Sequence, residues 1–450
     1  MKLFSEMTMK ELIRDGGHAC DCQRHHETGL KYLKIEQNAT RHLPEAMKSL
    51  SLKKPFIVCD IHTKAAAWDK VRETLEHAGI AYTLFTFSHE HVEPDEFTVG
   101  SMCMKFDVTC DSVLAIGSGV INDCCKVLAH VVGCPQMVVC TAPSMDGYSS
   151  NSSSMIQNRI KVTLYNACPS VILADIDIIK NAPDRMLWAG LGDMLAKYIA
   201  LCEWRISHIV TGEYYCERVA DLMRSSLNKI VAAAPRLMQR DSEVIRAVTE
   251  GLILSGIAMS FARISRPASG LEHYFSHLWE MFALDRGESS ELHGIQVGVG
   301  TYICLKIYDR LRMITPDRAL AEKAMREFDP AAWEAEVRRI FGKASQTLIE
   351  SEYAIWHKND PARHRQRLDI ILKHWDEIQQ IILEEIPRTD FIVSLMQTVG
   401  MPVKPDDIAE NKQDTKDAFL ASRDIRDKYL TSSLLWDLGL LNSFPIDECR

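Results

Sequence analysis

Between residues 55 and 175 short apolar runs alternate with helix-length segments, and few folds accommodate that alternation. The runs at 55–60, 81–86, 113–117, 136–140 and 171–175 read as strands, and 65–77, 93–106 and 121–132 as the helices between them. This is the pattern of a parallel, doubly wound sheet with helices on its faces. The small polar stretch 149–154 reads as a loop, and the alternation over 159–165 as a strand near the sheet edge. From about Asn181 the texture changes to long amphipathic segments, among them 192–206, 242–261, 330–340 and 365–384, which predicts an all-helical second half. A chain of 450 residues is too long for one ordinary core. The expectation is an α/β nucleotide-binding domain over 1–180 and a helical metal-binding domain over 181–450, with the active site between them.

Composition narrows the partners. A formal charge of −9 without a basic cluster argues against nucleic acid and against anionic membrane surfaces. No window reads as the uninterrupted apolar run of a membrane span, and the first ten residues show no export signal. Fourteen cysteines without a regular framework read as reduced thiols, and a cytoplasmic location is expected. Cys124 and Cys125 fall in a helix predicted to be buried, where cysteine acts as a small apolar residue.

Chemistry-bearing motifs follow in a fixed order. Gly117-Ser118-Gly119 ends a predicted strand and opens a predicted helix, where backbone N–H groups and the helix dipole receive phosphate oxygens. The third glycine of the usual dinucleotide fingerprint is missing, so a plain tight turn is an equal reading. Asp60 ends an earlier strand and can accept bonds from an adenosine ribose, which favours NAD over NADP; the alternative is a helix N-cap. Asp193 sits near a helix start with Lys197 one turn later, and by itself would be a cap or an ion pair. Together with His273 and His293 it forms one carboxylate and two imidazoles, the donor set of an open catalytic metal site that suits zinc, nickel or iron. His277 follows His273 by four residues, as a further ligand, a proton relay or a structural histidine, with relay or structural preferred. The run His18-Ala19-Cys20-Asp21-Cys22-Gln23-Arg24-His25-His26 resembles half a metal knuckle, and without a second paired half it reads as a structural hairpin.

In this order the motifs resemble the sn-glycerol-1-phosphate dehydrogenase family, within the group of iron-type alcohol dehydrogenases, glycerol dehydrogenases and dehydroquinate synthases. The resemblance covers most of the chain, from the Cys-x-Cys/His start through residues 117–123, 142–148, Gly192-Asp193 and 267–273 to His293-Gly294. The Ser-Gly-Leu-Glu-His segment ending at His273, with His277 after it, is its most specific piece. Four-ligand iron enzymes carry a histidine four residues after the aspartate; Lys197 stands there in this chain, so a three-ligand site is the carry-over.

The resemblance implies a dehydroquinate synthase-like fold and an enzyme that interconverts dihydroxyacetone phosphate and sn-glycerol 1-phosphate with NAD(H) or NADP(H) and one divalent metal. By that analogy Asp193, His273 and His293 bind the metal, Asp146 contacts the substrate, and His277 serves the chemistry. Gly117, Ser118, Gly119, Asp123, Thr141 and Ser144, with Asp60, line the cofactor. Arg159, Lys161, Arg263 and Arg266 are the available cations for the substrate phosphate. A homodimer and a role in glycerophospholipid metabolism are family-based expectations. The competing readings are a glycerol or polyol dehydrogenase, a redox-neutral cyclising lyase of the dehydroquinate synthase type, and, last, a homologue without activity that serves as a binding protein.

Overall fold

The computed structural model describes residues 2–157 and 160–450; Arg159, among the cations considered for the substrate phosphate, lies outside them. The chain divides into two compact units, Met1–Leu195 with Cys216–Pro267, and Ala196–Tyr215 with Ala268–Arg450.

The first unit is built on a six-stranded sheet of β1 (Tyr32–Glu36), β2 (Pro55–Asp60), β3 (Thr83–Phe87), β4 (Ser112–Gly117), β5 (Gln136–Cys140) and β6 (Val171–Asp175), in the order β1-β6-β5-β4-β2-β3. Every pairing is parallel. The reason is visible along each strand. Ile57 and Cys59, Leu114 and Ile116, Met137 and Val139, and Val171 and Leu173 lie in one core cluster with Trp68, Val71 and Leu75. The residues between them, Phe56, Val58, Val113, Ala115, Val138 and Ile172, are also fully buried. Since successive side chains point to opposite faces, both faces are covered, which is the setting of parallel sheets.

Helix α1 (Ile61–His77) follows β2, α2 (Glu96–Lys105) follows β3 and α3 (Gly119–Val132) follows β4. Neighbouring strands β2 and β4 send their connections in opposite directions, to β3 and to β5. The crevice beyond their carboxyl ends is therefore a topological switch point, flanked by Asp60 and Gly117.

Three differences from the sequence reading have physical causes. β1 went unread because Lys34 and Glu36 interrupt its apolar run; none of its five residues is fully buried, as suits an edge strand. Part of the polar stretch read as a loop is a strand, Ser152–Gln157, paired antiparallel with Ile160–Tyr165 in a separate two-stranded ribbon. The latter strand is thus not an edge of the main sheet. Small serines serve in this ribbon because Ser153 and Met155 turn inward and are buried.

Every regular element after Asp175 is helical. The first unit takes α4 (Asp184–Leu195), α6 (Glu217–Ala233) and α7 (Ser242–Ala262), and the second begins with α5 (Lys197–Thr211). By length and composition helix α7 passes as a membrane span, although Arg246 and Glu250 interrupt its apolar run. Within the fold 83% of its apolar window is buried. Its Thr249 hydroxyl donates to Ile245 O at 2.7 Å and Ser260 to Ser149 O at 2.9 Å, so it is accounted for as a core helix.

The second unit contains α8 (Leu271–Arg286), α9 (His293–Leu311) and the helices that follow to the C-terminus. A Cβ at Gly300 would stand 2.5 Å from Glu272 O, so glycine there lets α9 press against the start of α8. Buried Glu203 on α5 accepts from Leu271 N at 3.0 Å and from Thr431 N at 2.8 Å, fixing the N-terminus of α8.

Candidate active site

In the first unit, the cofactor candidates gather where β4 and β5 end. Gly117 and Gly119 do different things. A Cβ on Gly117 would lie 2.6 Å from Ile121 Cβ, so that glycine is required for α3 to close onto its strand. A Cβ on Gly119 would meet nothing nearer than Met145 Cγ at 3.5 Å, so the protein's own packing makes no such demand. Ser118 does not cap α3 with its side chain but pairs with Ser144. Thr141 N donates to Gly117 O at 3.2 Å, joining the two strand ends. The phenol of Tyr148, raised well above its ordinary range by burial and so kept protonated, donates to Ala142 O at 2.7 Å. Gly117→Ala is therefore expected to destabilise the fold. Gly119→Ala should leave the melting temperature unchanged and raise the KM for the nicotinamide cofactor by about tenfold, roughly 1.4 kcal/mol. Steady-state kinetics beside a melting curve check both.

Asp60 caps α1, its Oδ1 accepting from Thr63 N at 2.7 Å, while Thr63 Oγ1 accepts from Asp60 N at 3.0 Å. The cap reading thus holds, and among the described residues Oδ2 has no protein partner, which leaves it available to a ribose hydroxyl. Asp123 has protein partners for its carboxylate. Its carboxylate lies 3.2 Å from Lys126 Nζ and accepts from Ser154 N at 2.9 Å, tying the serine ribbon to α3.

Asp146 and Asp193 are brought together. Asp146 N donates to Asp193 Oδ2 at 2.9 Å, and Asp146 Oδ2 accepts from the Ser255 hydroxyl at 2.7 Å. All three residues are buried. The loop carrying Asp146 is held from below by Lys126, which is fully buried and donates to Gly147 O at 2.6 Å and Ser152 O at 2.9 Å. Sequence reasoning missed both Lys126 and Ser255. Each is a polar residue flanked by apolar neighbours on a helix, and that was the available signal.

In the second unit α8 and α9 cluster three imidazoles. Ring centroids of His273 and His293 lie 5.4 Å apart, His277 and His293 5.4 Å, and His273 and His277 6.2 Å. Two rings have their orientation fixed from behind. Glu272 Oε1 is 2.8 Å from His273 Nδ1, and the same oxygen accepts from Gly270 N at 2.7 Å. Ser276 Oγ is 2.8 Å and Glu280 Oε1 3.1 Å from His293 Nδ1. Holding the proton on Nδ1 leaves each Nε2 as the ligand atom, the arrangement by which carboxylates tune metal-binding histidines. His277, Glu280 and His293 also offer donor atoms within 4.8 Å of one another, so His277 stands as close to this cluster as a ligand would. These donors fit a divalent cation. Glu272, Ser276 and Glu280 escaped sequence reasoning because their role depends on how two helices pack. Glu272→Gln is expected to lower metal affinity by about 10–100-fold with the fold retained, measured by competition with a chromophoric chelator.

Lys197 is fully buried and donates to Ala268 O at 3.0 Å. Of the cations considered for the substrate phosphate, Arg263 is exposed and paired with Glu27 at 2.9 Å, Lys161 is half-buried, and Arg266 is buried.

Comparison with known proteins gives this geometry a family. Residues 34–183 match the family model described as iron-containing alcohol dehydrogenase. A glycerol-1-phosphate dehydrogenase, NAD(P)+, of Halalkalibacterium halodurans is 30% identical over 394 residues, covering 87% of this chain and 88% of that protein. One of the same name from Bacillus licheniformis is 33% identical over 346 residues, 74% and 86% of the two chains. In fold, a probable glycerol dehydrogenase of Sinorhizobium meliloti aligns over 93% of this chain and 97% of its own with a TM-score of 0.60 at 14% identity. With identity of that order maintained over nearly the whole length of these relatives, the chain belongs to the glycerol-1-phosphate dehydrogenase family.

Proposed function

We propose that the protein catalyses the reversible, NAD(P)H-dependent and metal-dependent reduction of dihydroxyacetone phosphate to sn-glycerol 1-phosphate. The observation that carries this reading is the match to glycerol-1-phosphate dehydrogenases across 87% of the chain. The reading assigns the nucleotide to residues 1–180 and the metal ligands Asp193, His273 and His293 to residues 181–450. Lewis acidity at the reacting carbonyl is what a divalent cation supplies there when bound.

The remaining work falls to the chain. The turn at Gly117-Ser118-Gly119 and the N-terminus of α3 receive the pyrophosphate, and Asp60 Oδ2 receives the ribose. Ser255 orients the Asp146 carboxylate toward a substrate hydroxyl. Hydride moves from the nicotinamide to C2 of the ketone, and His277 relays the proton that the reduced oxygen takes up. The substrate phosphate falls to a cation among Lys161, Arg263 and Arg266. The finer reading is a cytoplasmic homodimer whose product enters glycerophospholipid metabolism, with zinc, nickel or iron as the metal. It rests on the resemblance of the motifs.

Turnover of dihydroxyacetone against its phosphate tests the substrate assignment. A site built for phosphate loses kcat as well as affinity when the phosphate is removed, because remote binding energy supports the chemical step. Equal kcat on both compounds would assign the protein to the polyol dehydrogenases instead.

A further inference from the structure

A second group of metal-ligating side chains lies in the first unit and takes no part in the chemistry above. Residues His18–Ala19 and His25–His26 pair as an antiparallel hairpin, with His18 opposite His26. The turn between them carries Cys20 and Cys22 and is closed by Gln23, at φ 64°, whose N–H donates to Cys20 O at 3.0 Å. Two residue pairs are too few to hold a hairpin in water. Something else must fix it.

The sequence offers only half of a metal knuckle here, and the structure brings the missing ligand from 190 residues away. Cys216, immediately before α6, joins Cys20, Cys22 and His26, and all four donor atoms lie within 4.8 Å of one another. Cys20 Sγ is 3.7 Å from Cys216 Sγ, His26 Nε2 is 3.6 Å from Cys216 Sγ, and Cys22 Sγ is 3.2 Å from His26 Nε2. Zinc ligands at ~2.3 Å for sulfur and ~2.0–2.1 Å for nitrogen stand about 3.8 Å (S to S) and about 3.5 Å (S to N) apart across a tetrahedron. Two of these separations match a tetrahedral site and the third, 3.2 Å between Cys22 Sγ and His26 Nε2, is slightly shorter. They are not those of a disulfide, whose sulfurs are ~2.05 Å apart, and none of these cysteines is paired in one.

The surroundings are arranged for ligation. His26 is completely buried, and its Nδ1 is 2.8 Å from Phe261 O, which fixes the proton there and turns Nε2 to the sulfurs. Its ring packs edge-on against Phe4, with centroids 5.4 Å apart, and Phe4 packs in turn against Phe261 at 5.1 Å. The other buried histidine of the hairpin is otherwise engaged, since His18 Nε2 lies 3.1 Å from Leu12 O. Cys216 occupies the N-cap position of α6, so its backbone position is set by the start of that helix. Soft thiolates with one imidazole select zinc over the hard cations. Four protein ligands close the coordination sphere, which suits a structural site and leaves no open position for chemistry.

We propose that Cys20, Cys22, His26 and Cys216 bind a structural zinc ion that clamps the N-terminal hairpin to the start of α6. The clamp joins the two stretches of chain that make up the first unit, and closing so long a loop restricts the unfolded chain more than a local bridge does. The proposal is independent of the substrate and of the His273 cluster.

Cobalt reports sulfur ligation directly. Full-length protein produced with Co(II) as its only added transition metal should show an intense thiolate-to-cobalt charge-transfer band, with the visible bands of a tetrahedral ion. The band should disappear in Cys22→Ser and persist in His273→Ala, because the His273 cluster contains no sulfur. Metal content should fall by one equivalent per chain in Cys22→Ser, with the melting temperature lowered by roughly 5–10 °C. Absence of the charge-transfer band in the wild-type protein overturns the proposal without reliance on any variant. So does a Cys20–Cys216 disulfide at full stoichiometry in protein purified without reductant. Loss of reductase activity with the cobalt–sulfur band intact would count against the proposed reaction and leave the clamp standing.

Discussion

Asp193→Asn is expected to lower kcat/KM for dihydroxyacetone phosphate by about three orders of magnitude, about 4 kcal/mol of transition-state stabilisation, with little change in thermal stability. The two halves of that expectation have separate causes. Asp193 Oδ2 accepts the Asp146 N–H at 2.9 Å, and an asparagine carboxamide oxygen can do the same, so the loop keeps its anchor. What asparagine lacks is the negative charge that a carboxylate in the ligand role proposed for Asp193 brings to a divalent cation. The paired measurements are bound metal per chain and steady-state kinetics. A variant that holds metal stoichiometrically and keeps more than about a tenth of the activity would remove Asp193 from the ligand set.

Gly190→Ala is expected to destabilise the protein by about 3 kcal/mol, near the upper end for overpacking. A Cβ at this position would lie 1.8 Å from Pro143 O and 2.9 Å from its carbonyl carbon. Both obstacles are backbone, so no change of rotamer relieves the contact. Either α4 or the loop 141–147 must move, and the loop carries Thr141, Ser144 and Asp146. Activity should therefore fall even under conditions where the variant remains folded. Urea denaturation midpoints beside kcat/KM test this; wild-type values for both would mean that α4 and the loop are not in contact.

Sequence made the scaffold legible wherever one physical signal dominated. Strands β2, β4, β5 and β6 are continuous apolar runs because both of their faces are buried, and their short length between helix-length segments reveals them. β1 was hidden because an edge strand mixes Lys34 and Glu36 with apolar residues, and Ser152–Gln157 because its serines look like a loop until Ile160–Tyr165 pairs with them. The limit for α7 is different. Its composition is that of a membrane span, and only packing shows that Gly256, where a Cβ would stand 2.3 Å from Ser149 Oγ, lets this helix press against the loop that follows Asp146.

The candidate site was legible in its donors and not in their supports. His273, His277 and His293 stand out by residue type and spacing, and the packing of α8 on α9 does gather them. Glu272 and Ser276, which orient two of those rings, are ordinary helix residues until a neighbouring helix supplies the geometry. Asp123 has supports of the same hidden kind, since Lys126 and the serine ribbon meet its carboxylate only once the fold brings them there. Cys216 is the extreme case, with its partners 190 residues away and no local spacing to mark it.

The proposed reaction is tested by incubating metal-reconstituted protein with dihydroxyacetone phosphate and NADH or NADPH, then determining the configuration of the product. Metal-dependent oxidation of the nicotinamide and a glycerol phosphate of the sn-1 series are expected. A product of the sn-3 series, or no change in nicotinamide absorbance with zinc, nickel or iron, would contradict the proposed reaction.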